Sequence, residues 1–216
     1  EDEERMLHSI VKPTIDEAAG RKTLVFAAGK DHANKLASCF AAHGVDVGVV
    51  VEDTDPGERA EVIARYSNGD LQVLVNCMCL TEGFDAPATE IIANCRPTKS
   101  ESLYLQIIGR ATRPLAGVVD GPETAEERKA AIAASDKDSC TILDFVGNSG
   151  DIKLVSVADV LAGSKIDPID LEEALRVAME SGETVDMEEL AEKMKQSRLE
   201  AAEKKEIERR QRLLTN

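Results

Sequence analysis

Short apolar runs rich in β-branched residues alternate along this chain with longer segments in which apolar residues recur at helical spacing. Each short run predicts a buried strand, and each longer segment predicts an amphipathic helix. The predicted strands lie within residues 22–29, 45–51, 71–79, 89–95 and 140–147. Because strands and helices alternate and the loops are short, the pattern predicts a three-layer α/β domain with a mainly parallel sheet.

Several predicted helices carry local start signals. Asp55 is the expected N-cap of a helix that has Pro56 at its first position. Ser100 or Ser102 is expected to cap a helix over 102–113. A short helix, capped by Thr124 together with Glu127, is expected in the insertion before the last strand. Two further helix starts are predicted in the last part of the chain, at Asp170 with Glu173 and at Asp186 with Glu189.

The alternating pattern ends near residue 162, which predicts a domain over 1–162 and a charged helical extension over 163–216. Met187, Leu190, Ala191 and Met194 share one face of the last predicted helix, and charged residues dominate after them. The extension is open to three readings. It could pack as a helical hairpin, project as an arm, or form a solvated charged helix with a partial apolar seam.

The amino-acid composition narrows the range of functions that the chain could have. The chain has 26 basic and 41 acidic residues and a net charge of −15, so its overall field repels phosphate. Any contact with nucleic acid must therefore be local or shared with a partner domain.

No apolar stretch is long enough for a membrane span and no signal peptide is visible, so a cytoplasmic protein without a membrane partner is expected. The five cysteines form no CxxC pair, and no His/Cys cluster has zinc spacing, so no metal site is expected.

A glycine-containing loop, CLTEGFDAP, follows the third predicted strand. Ligands of open α/β sheets bind beyond the carboxyl ends of strands, which is where this loop lies. Thr81 offers a hydroxyl group to phosphate oxygens, Gly83 allows close backbone approach, and Asp85 can accept from sugar hydroxyl groups. The alternative is a polar loop in which Asp85 caps a turn before Pro87. The loop by itself does not decide between them.

The stretch QIIGRATRP places two arginines beside a glycine. Gln106, Arg110 and Arg113 recur at steps of three and four residues, so they are expected to share one face of a helix. Two permanent cations on one face suit a polyphosphate, because each guanidinium group presents a planar fork to phosphate oxygens. The alternative is a surface stripe paired with carboxylates. Gly109 is expected to make room for a neighbouring element or a nucleotide.

Taken together and in order, these motifs resemble the C-terminal RecA-like domain of superfamily two helicases and translocases. TLVFAAGKDHANKL resembles motif IV of that family, LTEGFDAP resembles motif V, and QIIGRATR resembles motif VI. The segments GERAEVIARYSNG and TILDFVG are also similar, so the resemblance covers about residues 22–160. The variant of motif VI that has Gln106 resembles the DEAH-type branch of the family. The longer stretch PTKSESLYLQIIGRATRP is similar to bacterial and phage DNA helicases related to repair and restriction translocases.

The resemblance implies a role for each motif residue. ATP would lie between this domain and an N-terminal RecA-like domain. Arg113 would be the arginine finger on the γ-phosphate, Arg110 would contact the triphosphate, and Gln106 would order the same network. Gly83 and Asp85 would approach the ribose and phosphates. The nucleic-acid strand, with DNA favoured over RNA, would run along Thr81, Ala28, Gly29 and Thr98.

The sequence lacks a GxxxxGK[ST] phosphate loop and a DExH motif. The resemblance therefore implies that the N-terminal domain, expected in the same longer protein, binds Mg²⁺ and the β-phosphate, and that this chain alone is inactive. Two other readings stay open. One is the translocase part of a restriction enzyme subunit, and the other is a non-enzymatic α/β interaction module whose helical tail recruits a partner.

Overall fold

The computed structural model describes residues 2–77, 84–145 and 187–214, together with residues 167, 169, 170, 173, 174, 176 and 177. The elements of this described part are, in chain order, α1 (Asp2–Ala18), β1 (Thr23–Phe26), α2 (Lys30–Ala42), β2 (Val47–Val50), α3 (Pro56–Asn68), β3 (Val73–Asn76), β4 (Ile91–Asn94), α4 (Glu101–Ile108), α5 (Ala125–Ala133), β5 (Thr141–Asp144) and α6 (Met187–Leu214).

The strands form one five-stranded sheet in the order β2-β3-β1-β4-β5, and every neighbouring pair is parallel. All residues of β1, β3 and β4 are buried, because helices cover these central strands on both faces. The predicted three-layer α/β fold with a parallel sheet is confirmed.

Two apolar clusters show how the layers pack. On one face of the sheet, Val11 of α1 and Phe40 of α2 pack with Val25 and its neighbours. On the other face, Tyr66 of α3 and Ile107 of α4 pack with a second set of strand residues, which includes Leu24, Leu74 and Ile92. Successive strand residues point to opposite faces, so Leu24 and Val25 join different clusters.

Two predicted helix caps are confirmed. The Asp55 carboxylate accepts from the amides of Gly57 and Glu58 at 2.8 and 3.3 Å at the start of α3. Thr124 and Glu127 form a reciprocal capping box at the start of α5. The backbone hydrogen bonds that Glu127 accepts also lower the pKa of its carboxyl group.

The helix predicted over 102–113 is shorter in the structure, because α4 ends at Ile108 with Gly109 as its C-cap. Beyond it the amides of Arg110 and Ala111 bond to carbonyls three residues earlier, which is a tighter turn. Gly109 weakens the helix, and Pro114 disfavours a helical backbone at the residue before it. The prediction that Gln106, Arg110 and Arg113 share one helical face was therefore wrong.

The chain divides into two compact units, Glu1–Leu154 and Val155–Asn216. The predicted boundary after residue 162 lies outside the described residues, so the division into 1–162 and 163–216 stays a prediction. None of the described helices combines the length and apolar character needed to cross a membrane.

Within the second unit, α6 contacts the short helical segment near residue 170. Arg198 of α6 pairs with Asp167 at 3.0 Å and with the buried Asp170 at 2.7 Å. Asp167 rather than Asp170 caps this segment, since its carboxylate accepts from the amide of Ile169 at 3.0 Å. A helix thus begins just before Asp170, close to the predicted start, and the packing favours a hairpin over a projecting arm. Asp186, the other predicted start, lies outside the described residues.

Candidate functional site

The segments with the predicted motifs leave the sheet at the carboxyl ends of its three central strands. Ala28 and Gly29 follow β1, the segment with Asp85 follows β3, and Thr98 follows β4. Ligands of parallel α/β sheets bind at this edge. The sequence therefore places the predicted site where the fold supports one.

The loop after β1 exposes its backbone. The amide of Ala28 donates to Nδ1 of His32 at 3.3 Å, and Ala28 itself is exposed. Gly29 is the extended N-cap of α2, makes no side-chain cap, and has nothing within 4 Å of the position that a Cβ would take. Such a helix start suits a phosphate oxygen, and the predicted contact of these two residues with a nucleic-acid strand stays a prediction.

The turn after β4 uses its hydroxyl groups internally. Thr98 is buried, and its Oγ1 accepts from the amide of Ser100 at 3.0 Å. Ser100 in turn caps α4, because its Oγ accepts from the amide of Leu103 at 3.3 Å. The choice between Ser100 and Ser102 as the cap is thus decided in favour of Ser100. The predicted strand contact of Thr98 stays a prediction.

An open groove of about 560 Å³ runs along α4 and the turn that follows it. Gln106, Arg110 and Arg113 all line it, so the structure brings the predicted triad together although the helix ends early. The other lining residues are Glu101, Ser102, Leu105 and Gly109. The groove therefore combines two guanidinium groups with an exposed amide side chain.

Gly109 is needed for this turn for a local reason. A Cβ at this position would lie 2.8 Å from the carbonyl oxygen of Leu105, closer than real Cβ atoms approach. The glycine therefore makes room for the backbone of its own helix, whereas the sequence suggested room for a neighbour or a nucleotide.

Arg110 connects the motif VI turn to the motif V segment. Only 8% of the residue is exposed, and its guanidinium group donates to the carbonyl oxygen of Phe84. Phe84 is buried and its ring packs 6.3 Å from the ring of Tyr66. Arg110 thus ties the segment that follows the motif V glycine to the protein core.

Arg113 pairs with Asp85 at 2.6 Å, and the two side chains are 50% and 69% exposed. Two of the candidate nucleotide ligands, one from motif V and one from motif VI, are therefore in direct contact, and Arg113 also lines the groove. Thr81 and Gly83 of the same loop lie outside the described residues, so their assignments stay predictions.

The site thus consists of exposed backbone after β1 and two arginines joined to the segment after β3. Residues 3–114 match the family described as the helicase conserved C-terminal domain, which is more than half of the chain. The chain belongs to this family.

Relatives of known name agree with this family. IRC3 of Saccharomyces cerevisiae, described as a candidate ATP-dependent helicase, is 36% identical over 154 residues, which cover 71% of this chain and 19% of IRC3. The UvrABC system protein B of Photobacterium profundum is 36% identical over 108 residues, 48% of this chain and 16% of that protein. This helicase C-terminal domain thus spans about a fifth of the relatives' length.

Solved structures share the fold. The DEAD-box protein SrmB of Escherichia coli is 19% identical with a TM-score of 0.50, over 65% of this chain and 69% of that chain. Dbp5 of S. cerevisiae, solved with RNA and ADP BeF3, is 19% identical with a TM-score of 0.50, over 81% of this chain and 41% of that chain. The helicase C-terminal domain therefore has the RecA-like α/β fold.

Sequence reasoning missed Lys137, which lies outside the residues that match the helicase C-terminal family. Its buried ammonium group donates to the carbonyl oxygens of Pro87 at 2.6 Å and Arg113 at 2.8 Å. Desolvation lowers the pKa of this lysine. Lys137 joins the backbones of motifs V and VI, and nothing in the charged insertion around it signals this contact.

A second missed group supports the turn of the helicase domain after β4. Asp144, at the end of β5, accepts from Nδ2 of Asn94 at 3.3 Å and from the hydroxyl group of Tyr104 at 2.7 Å. Asn94 also accepts from the amide of Arg96 at 3.3 Å. The only signal in the sequence was the position of these polar residues at the ends of β4 and β5.

Proposed function

We propose that this domain is the second motor domain of an ATP-dependent superfamily two helicase or translocase, within a longer polypeptide. The N-terminal RecA-like domain of that polypeptide would supply the phosphate loop and bind Mg²⁺. One observation carries the proposal: Gln106, Arg110 and Arg113 line a single groove, and Arg113 pairs there with Asp85.

The groove fits a triphosphate by the chemistry of its donors. Arg113 is half exposed and presents a guanidinium fork, and Gln106 adds an exposed amide group. The guanidinium group of Arg110 already donates one hydrogen bond to the carbonyl oxygen of Phe84. We propose that this bond holds the wall of the groove in place while the same guanidinium group contacts the triphosphate. ATP supplies the phosphoryl group whose transfer to water drives such a motor.

The Arg113–Asp85 pair suggests how the proposed arginine finger, Arg113, becomes available to the γ-phosphate. Exposed ion pairs contribute little free energy, roughly 0–1 kcal/mol. A γ-phosphate carries more charge than a carboxylate and accepts two parallel hydrogen bonds from arginine. We therefore propose that Arg113 exchanges Asp85 for the γ-phosphate when the two motor domains close. Asp85 would then be available to the ribose, and Gly83 would allow close approach of the backbone.

The second proposed ligand is a nucleic-acid strand, with DNA favoured over RNA. Ala28, Gly29 and Thr98 follow adjacent strands β1 and β4, so a strand along this edge would pass their backbone in turn. Thr81 would add a hydroxyl contact. Backbone contacts of this kind suit a chain whose net charge is −15, because they need few surface cations. The resemblance to DNA helicases supports DNA.

The decisive experiment compares this chain alone with the longer polypeptide that contains it. We expect no ATP hydrolysis above background by the purified chain, and hydrolysis that single-stranded DNA stimulates more than RNA in the longer polypeptide. Substantial turnover by this chain alone would contradict the proposed division of labour. Equal or greater stimulation by RNA would contradict the choice of DNA.

We also propose a cytoplasmic location. None of the cysteines in the described part of the chain is in a disulfide, which suits a reducing compartment. Fluorescence microscopy of the tagged longer polypeptide tests this, and signal confined to an organelle would contradict it.

A further inference from the structure

A cluster of potential metal ligands lies on the surface between α1 and α2. It consists of His8 on α1, Cys39 on α2 and His43, the residue that caps the end of α2. Their ligand atoms all lie within 4.8 Å of one another, and Sγ of Cys39 is 3.9 Å from Nδ1 of His8. The two histidines are exposed and the cysteine is partly buried, so an ion can reach the cluster from solvent.

One hydrogen bond orients His43 for this role. Its Nδ1 lies 2.8 Å from the carbonyl oxygen of Cys39. A carbonyl can only accept, so Nδ1 carries the proton and, in the neutral ring, Nε2 keeps its lone pair. Histidines that bind metals are oriented in this way by a hydrogen bond from their other nitrogen. The spacing of four residues puts Cys39 and His43 on one side of the helix end.

The geometry is close to that of a bound ion. Bonds of about 2.0–2.3 Å in a tetrahedron place ligand atoms about 3.5 Å apart, so the cluster must contract by only about 1 Å. The rings of His8 and His43 already face each other edge to face, with centroids 5.2 Å apart.

The donor set selects the metal. One thiolate and two imidazoles suit Zn²⁺ and similar borderline ions, whereas Mg²⁺ and Ca²⁺ prefer oxygen ligands. Zinc binds the thiolate form of cysteine, so binding of the ion releases the proton of the Cys39 thiol. We propose that His8, Cys39 and His43 bind one Zn²⁺ ion, with water as the fourth ligand.

The position indicates a structural role. The cluster joins α1 and α2, which pack on one face of the sheet, whereas the groove with Arg113 follows α4, which packs on the other face. The ion joins α1 to α2 across a packed helix pair. Zinc therefore stabilises the domain by binding the folded state, and it takes no part in the chemistry of ATP.

The test measures zinc binding and thermal unfolding of the 216-residue chain after chelation and dialysis. We expect one Zn²⁺ per chain by titration calorimetry, and a rise in Tm of about 5–10 °C at zinc concentrations 100-fold above Kd. Cobalt should bind the same site and give the absorption band of a thiolate-bound ion. Absence of stoichiometric binding to the wild-type chain would overturn the proposal.

Variants identify the ligands. Cys39→Ser and His43→Gln should each weaken binding by more than about 100-fold, since loss of outer partners alone costs 10–100-fold. The matched controls are His32→Gln, which changes the one remaining histidine, and Cys140→Ser, and both should bind zinc like the wild type. If Cys39→Ser fails to fold, His8→Gln and His43→Gln decide, since both side chains are exposed. Wild-type affinity in the ligand variants would overturn the proposal.

Discussion

Arg113 is the residue on which the proposed chemistry depends, and the structure shows what surrounds it. Its side chain pairs with Asp85, and its backbone carbonyl accepts from the buried Lys137. One contact is exposed and exchangeable, and the other is buried and fixed. The guanidinium group can therefore change partners while the backbone beneath it stays in place.

The buried contact gives a prediction for stability. Lys137→Met keeps most of the side-chain volume but leaves two carbonyl oxygens, of Pro87 and Arg113, without their donor. We expect the free energy of unfolding to fall by about 1–3 kcal/mol, the cost of unsatisfied buried groups. Urea denaturation measures it. Lys129→Met, at an exposed position of α5, is the control and should stay within about 0.5 kcal/mol of the wild type. Equal effects of the two substitutions would contradict the role of Lys137.

Among the helices, α3 shows how a local signal becomes an element. Asp55 caps its first turn, Pro56 occupies its first position, and Gly69 closes it in the left-handed conformation at φ 94°. All three features are set by neighbours in sequence. Its Tyr66 then anchors the helix on the core, where the hydroxyl group lies 3.0 Å from Oγ1 of Thr89.

The cap gives the second prediction. Asp55→Ala removes the acceptor for the amides of Gly57 and Glu58, and we expect the free energy of unfolding to fall by about 1 kcal/mol. Glu61→Ala, on the exposed side of the same helix, is the matched control and should change it by less than about 0.5 kcal/mol. Thermal unfolding with identical midpoints for the two variants would show that the cap does not contribute.

Elements defined by local signals were predictable, and those that depend on distant contacts were not. The strands, the order of helices and the caps at Asp55 and Thr124 follow from runs, spacing and neighbouring residues. The end of α4 at Ile108 was missed because the helical spacing of the polar residues continues to Arg113, whereas the helical backbone ends at Ile108. A glycine followed by a proline five residues later was the signal that outweighed the periodicity.

For the molecule as a whole, the fold joins residues that the sequence keeps far apart. His8 and Cys39 are separated by 31 positions and meet only because α1 packs on α2. The one local sequence signal of this cluster was the four-residue spacing between Cys39 and His43. Lys137 likewise reaches Pro87 across 50 positions. Such contacts depend on tertiary packing, which no short motif encodes.

The buried core also predicts how stability changes with pH. Burial, with a smaller contribution from the charge of Asp144, raises the pKa of the Cys95 thiol from 9.0 to about 12. Above pH 9 the unfolded chain loses this proton while the folded chain keeps it. Its stabilising contribution is therefore complete below pH 9 and is lost as the pH rises toward 12.

The measurement compares urea unfolding of the wild type and Cys95→Ala at pH 8 and pH 10. We expect the wild type to lose roughly 1 kcal/mol more than the variant between these pH values. Burial also raises the pKa of Tyr66, but this affects both proteins equally. Parallel pH profiles of the two proteins would show that Cys95 titrates normally in the folded state.

The central claim is that this domain supplies the arginine finger of a two-domain ATPase. Steady-state ATP hydrolysis by the longer polypeptide tests it, with Arg113→Ala compared with Arg65→Ala. Arg65 is the matched control, because it is an exposed arginine near the end of α3 that does not line the groove. The account predicts a fall of at least about 1,000-fold for Arg113→Ala with nucleic-acid binding retained, and wild-type turnover for Arg65→Ala. Wild-type turnover by Arg113→Ala would contradict it.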